Sequence, residues 1–130
     1  MKQEAKTMEV WQGRMPLAVV KLRGRGAEGR MLVYATPMGM FVSVRIGGLG
    51  LAPGEVYRLG REIARHRELF PWFPPLYERD GEAFGQVMTQ KITPGELWGS
   101  RFFIWDQRGV ALEGEMEPFR VRSGRHALFA

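Results

Sequence analysis

The sequence predicts an all-β domain, an antiparallel sandwich or barrel of seven to eight strands with one short helix (about residues 61–69) in a loop. Two observations predict the strands: short runs of β-branched and aromatic residues alternate with a period of two, and Gly or Pro bounds each run. A third places the helix, because a single segment is rich in good helix formers and lacks that alternation. The 130 residues, 45% of them hydrophobic, match one ordinary domain over 1–130 with a single core and loose termini.

Residues 17–23 (LAVVKLR), 30–36 (RMLVYAT) and 39–47 (GMFVSVRIG) read as the first three strands. Thr36-Pro37-Met38-Gly39 supplies the turn between the second and third. Residues 60–69 (GREIARHREL) read as the helix, and the spacing of Val56, Leu59, Ile63 and Phe70 allows a start as early as Glu55. Phe70-Pro71-Trp72-Phe73-Pro74-Pro75 ends it, since prolines remove backbone donors. Arg79-Asp80-Gly81-Glu82 is a hairpin signal. Strands follow at 83–92 and 101–106, and residues 110–116 and 119–122 supply the last candidates.

Composition excludes several classes of chemistry. With no Cys there is no disulfide, thiolate zinc site, iron–sulfur cluster or cysteine nucleophile. His66 and His126 are the only histidines, so a three-imidazole site cannot be built from one chain. No run approaches the roughly 18 apolar residues of a membrane span, and no leader is read at the N-terminus, so the expected location is cytoplasmic. Lys+Arg 19 against Asp+Glu 14 leaves a formal charge of +5, which fits a polyanion partner or a solvated surface.

Several motifs bear on chemistry. Gly24, Gly26 and Gly29 spell G-x-G-x-x-G after a strand, but another strand follows where a phosphate cradle needs a helix, so they read as a turn carrying Arg23, Arg25 and Arg30. Glu113, Glu115 and Glu117 at i, i+2, i+4 share one face of an extended strand, where they fit a hard cation, an acid–base pair or plain solvation. Glu62 and His66 stand one helical turn apart, beside Arg65 and Arg67, which repel a cation. On a helix Arg58, Arg61 and Arg65 line one stripe; if residues 55–59 are extended, the basic face narrows to Arg61, Arg65 and Arg67. No Gly-x-Ser-x-Gly motif is present, and Ser43, Ser100 and Ser123 have no base nearby in sequence.

Residues 18–49 (AVVKLRGRGAEGRMLVYATPMGMFVSVRIGGL) resemble the opening of the copper-zinc superoxide dismutase family, whose strands run A-x-V-x-L-x-G, G-x-V-x-F-x-Q and V-x-V-x-x-x-V-x-G-L. A second block is similar to bacterial members: Phe73-Pro74-Pro75-Leu76 before Asp80-Gly81, Ala83-Phe84, and Ile92-Thr93 to Gly99 leading into Arg101-Phe102-Phe103-Ile104. The resemblance covers about two thirds of the chain and implies an eight-stranded Greek-key β-barrel of the immunoglobulin-like kind.

The family's metal ligands are missing from the matching positions. Its copper segment G-F-H-I-H-E-G matches residues 54–60 (GEVYRLG), with Val56 and Arg58 in place of both histidines. Its zinc segment H-x-G-D matches Leu69, Phe70, Pro71 and Trp72, and its last copper histidine matches Trp105. The loop of the bridging histidine is shortened, leaving His66 isolated, and the disulfide cysteines are absent. The resemblance thus implies a scaffold with no metal cofactor and no dismutase activity, in which Trp105 and Trp72 are buried near Tyr57 or Val56. The expected role is a non-catalytic binding or structural protein whose partner is a protein or an anionic ligand, with self-association open. The alternatives are a basic barrel that binds nucleic acid or another polyanion through Arg58, Arg61, Arg65 and Arg67, and residual metal or redox chemistry using His66 with Glu62 or the Glu113, Glu115 and Glu117 row.

Overall fold

The computed structural model describes residues 15–97 and 100–118. Strands β1 (Ala18–Gly24), β2 (Ala27–Thr36) and β3 (Gly39–Gly47) form a meander, followed by β4 (Val56–Ile63), β5 (His66–Leu69), β6 (Leu76–Tyr77) and β7 (Glu82–Thr89). A one-turn helix, α1 (Pro94–Leu97), precedes β8 (Arg101–Asp106), β9 (Gly109–Glu115) and β10 (Glu117–Pro118). All pairings are antiparallel and join one sheet in the order β5-β4-β8-β9-β1-β2-β3-β7, with β6 on β4 and β10 on β1. The sheet curls into a half-barrel, and β6, paired to β4, turns through the Arg79–Glu82 bridge into β7. Since β3 lies beside β7 and the chain crosses from β3 to β4, the arrangement is a Greek key.

Alternation sets the core. Val20, Leu22, Met31, Val33, Val42, Val44, Leu59, Phe102 and Ile104 point to the concave face and are buried. The open side between β5 and β7 is filled from the proline-rich run, where Phe70 stacks on Trp72 at 4.5 Å and approaches Phe102 at 6.1 Å. Each such large apolar side chain stabilises the fold by roughly 1.5–3 kcal/mol. Tyr57 is buried in the same core, and its hydroxyl accepts the Ala52 amide at 2.9 Å, which anchors the crossover loop to β4.

The helix expected over 61–69 is instead a hairpin. Gly60, Arg61, Glu62 and Ile63 of β4 face Leu69, Glu68, Arg67 and His66 of β5. The other edge of β4 pairs with β8, so a strand here satisfies both rows of backbone groups, and tertiary pairing overrides the local preference for helix. Ala64 (φ 49°) and Arg65 (φ 72°) make the two-residue turn in the left-handed region, without the Asn-Gly pair that normally announces it. Beyond Leu69 the Phe70 amide still donates to the Leu59 carbonyl at 2.9 Å. Pro71, Pro74 and Pro75 then carry the chain off the ladder until Leu76 rejoins opposite Tyr57.

The helix that does form has the sequence Thr93-Pro94-Gly95-Glu96, a capping box. The Glu96 carboxylate accepts the Thr93 amide at 2.9 Å, and Pro94 occupies the first helical position. Both expected turns are present, with Thr36 opposite Gly39, and with Asp80 (φ 52°) and Gly81 (φ 83°) between Arg79 and Glu82. The strand candidate at 119–122 lies outside the described residues, as do the termini, His126, and Arg120, Arg122 and Arg125. No helix among the described residues is long and apolar enough to cross a membrane.

Two variants separate hairpin from helix, because each acts in opposite directions on the two structures. A Cβ at Gly60 runs into the Glu68 carbonyl and the Trp105 ring, so Gly60→Ala destabilises the hairpin by about 2 kcal/mol. Ala64→Asn with Arg65→Gly removes left-handed strain and stabilises it by about 1 kcal/mol. Denaturant unfolding measures both, and signs reversed from these contradict the hairpin.

Candidate functional site

Because Tyr57 and Leu59 point into the core, Val56, Arg58, Gly60 and Glu62 point to the convex face of β4. Directly opposite partners share that face. One row across the sheet is therefore Leu69, Gly60, Phe103 and Glu113, and the next is Arg67, Glu62, Arg101 and Glu115. Arg58 faces Trp105. Phe103 points outward yet is fully buried, covered by the Arg67 guanidinium at 4.4 Å from its ring centre and by Trp105 at 5.6 Å. A bulge between Ile104 and Trp105 shifts the β8–β9 register and sets the angle at which the indole leaves the strand.

A groove of about 850 Å³ lies over this face, lined by Gly54, Glu55, Val56, Arg58, Arg67, Leu69, Tyr77, Trp105, Asp106 and Gln107. Four positions singled out by the resemblance, Val56, Arg58, Leu69 and Trp105, meet there. The fifth, Trp72, does not; it sits in the proline-rich loop against Phe70 and Phe73. Both indoles, expected to be largely buried, are partly buried, Trp72 against the core. Trp105 lies over Gly60 and shares the groove with Val56, while Tyr57 is on the opposite face of the sheet.

The expected basic stripe also comes apart, because strand alternation replaces helical periodicity. Arg58 is exposed in the groove and has no hydrogen bond or ion pair among the described residues. Arg67 lies 3.8 Å from Glu62 and stacks on Phe103. Arg65 is at the tip of the turn. Arg61 turns to the other face, where its guanidinium donates to the Glu96 carbonyl at 2.9 Å and rests 5.5 Å from the Phe70 ring centre.

Other candidates separate in the same way. Glu62 pairs with Arg67, and exposed His66 faces Ile63 at the base of the turn. Glu113 accepts from Arg101 at 2.9 Å, whereas Glu117 belongs to β10 opposite Val19, so the three glutamates are divided between two strands. Gly24, Gly26 and Gly29 belong to the β1–β2 hairpin, as read from the sequence, with Gly24 facing Ala27. No three His, Cys, Asp or Glu residues gather as a metal-holding set among the described residues.

The carboxylates around the groove are already engaged. Glu55 accepts the Gln107 amide at 3.3 Å and its side-chain nitrogen at 3.4 Å. Asp106, with its side chain 1% exposed, accepts the Arg108 amide at 2.7 Å and the Arg25 guanidinium at 2.9 Å. Burial pushes the Asp106 carboxyl up, but the Arg108 amide, the Arg25 hydrogen bond and the two guanidinium charges outweigh it, holding the group below its ordinary value. Glu78 clamps the loop below, accepting the Gly54 and Gly81 amides at 2.7 Å each, and both bonds pull its carboxyl down. Sequence reasoning missed Tyr77, Glu55 and Gln107, which carry no motif. Asp106 had a signal, an Asp three residues before Gly109 at a turn.

The lowered Asp106 value makes stability depend on pH in a stated direction. Its contribution is fully present above about pH 4 and is lost as pH falls through the folded value. Asp106→Asn therefore costs about 1–2 kcal/mol at neutral pH, and the gap to the native chain narrows in acid. Denaturant melts from neutral to acidic pH test this, and a gap constant across that range contradicts it. No protein-family model matches the sequence, and no curated protein matches it.

Proposed function

We propose that this chain is a metal-free relative of the copper-zinc superoxide dismutases, working as a binding module whose site is the groove over β4. One observation carries the reading: four of the five positions that the resemblance matches to metal ligands, Val56, Arg58, Leu69 and Trp105, line a single groove, the fifth, Trp72, lying outside it. Their chemistry does not fit a metal. Valine and leucine have no donor atom, the guanidinium is a cation at any working pH, and the indole nitrogen donates only. The nearest carboxylates, Asp106 and Glu55, already hold protein partners. The Greek-key half-barrel is the kind of fold that the resemblance implies, and its apolar core is independent of any metal.

The polyanion reading is less well supported, since Arg58, Arg61, Arg65 and Arg67 do not share one surface. Metal chemistry at His66 lacks its second group, because Glu62 is paired with Arg67.

Elemental analysis of the purified protein is expected to find no stoichiometric copper or zinc. Its melting temperature is expected to ignore a chelator, and added copper and zinc are expected to elicit no dismutation of superoxide. One metal per chain with a chelator-sensitive melt contradicts the proposal.

A further inference from the structure

Three features of the groove converge on one ligand chemistry. Arg58 presents a guanidinium with no hydrogen bond or ion pair among the described residues, directly opposite Trp105. Large apolar side chains stand exposed on the walls, Tyr77 at 60% and Leu69 at 45%, with the partly buried Trp105 beside them. The local acids are spent on protein partners, Asp106 on Arg25 and Arg108, and Glu55 on Gln107. A cation thus sits among apolar walls, paired with no carboxylate among the described residues; Asp106 is offset by two guanidiniums, and Glu55, held by Gln107, keeps its own charge in the groove.

A bare inorganic anion uses the guanidinium and wastes the walls. A polyanion needs several free cations in a row, whereas Arg67 is committed to Glu62 and Phe103 and Arg61 faces the other way. Resting on the reading of this groove as the binding site, we infer that its ligand is an aromatic carboxylate. The carboxylate pairs with the Arg58 fork and the ring lies against Trp105 and Tyr77. Arginine holds a carboxylate in a paired, planar geometry, and a groove of about 850 Å³ accommodates a molecule of one to three rings.

Calorimetric titration of the full chain with 2-naphthoate, 2-naphthol and inorganic sulfate separates the parts of this interaction. The naphthoate binds saturably at one site and at least about tenfold more tightly than either the neutral naphthol or the ringless sulfate. Arg58→Gln, at an exposed position, abolishes the preference for the acid and leaves naphthol binding unchanged. Tyr77→Ala, on the other wall, weakens acid and alcohol alike, while Lys91→Gln, exposed just beyond β7 and outside the groove, changes neither. The inference is overturned by naphthoate binding no tighter than naphthol or sulfate, by a preference that survives Arg58→Gln, or by no saturable binding up to about 10 mM. In a chain free of copper and zinc those results remove the ligand class alone; stoichiometric metal removes the reading of the groove itself.

Discussion

A glycine at position 60 lets the Trp105 ring rest on the backbone of β4 while β5 pairs along the same stretch. Any side chain there collides with both the indole and the Glu68 carbonyl. Much follows from that one close approach. The hairpin closes, Trp105 lies on the convex face beside Phe103, and Arg58 is left facing it across the ladder. The same strand carries Tyr57 and Leu59 into the core, so the side chains that shape the groove are fixed by the register that fills the barrel. Site and core are two faces of one strand.

Strands with a clean period of two and a glycine or proline at each end were legible in the sequence. Residues 39–47 and 101–106 fold with the expected limits, and β1, β2, β7 and β9 differ from expectation by one to three residues. The segment at 60–69 was not legible, for a physical reason. Helix preference is local, whereas the strand is stabilised by pairing with β8, some 40 residues away in sequence, and by an Ala-Arg turn that no residue type announces. The capping box at Thr93 was legible and went unread. The groove was half legible: matching residues to a family picked out Val56, Arg58, Leu69 and Trp105, while Tyr77 and Gln107 reach it only through the return of β6 and the β8–β9 turn, and Glu55, just before β4, carries no motif.

Five arginines are held in ion pairs among the described residues. Arg101 with Glu113, Arg67 with Glu62, Arg45 with Glu82, and Arg25 and Arg108 with Asp106 spread cations and anions across the sheet. The exposed pairs among them contribute little to stability, about 0–1 kcal/mol each, and together the pairs engage five of the 19 Lys and Arg residues. Near the groove Arg67 is held by Glu62 and Arg61 turns to the other face, so the arginines of residues 58–67 do not form one basic surface. Arg58 stands apart because its row holds Trp105 rather than an acid. Distribution, not total, separates a local anion site from a polyanion track.

Four of the five positions matched to metal ligands form the groove, which we propose takes an organic anion rather than a metal. Backbone and indole NMR of the full chain, titrated once with zinc and once with 2-naphthoate, tests it most directly. The account predicts naphthoate shifts concentrated at Arg58, Leu69, Tyr77 and the Trp105 indole, and no saturating change with zinc. Zinc shifts that saturate at one equivalent on those residues, or naphthoate shifts confined to another face of the sheet, contradict it.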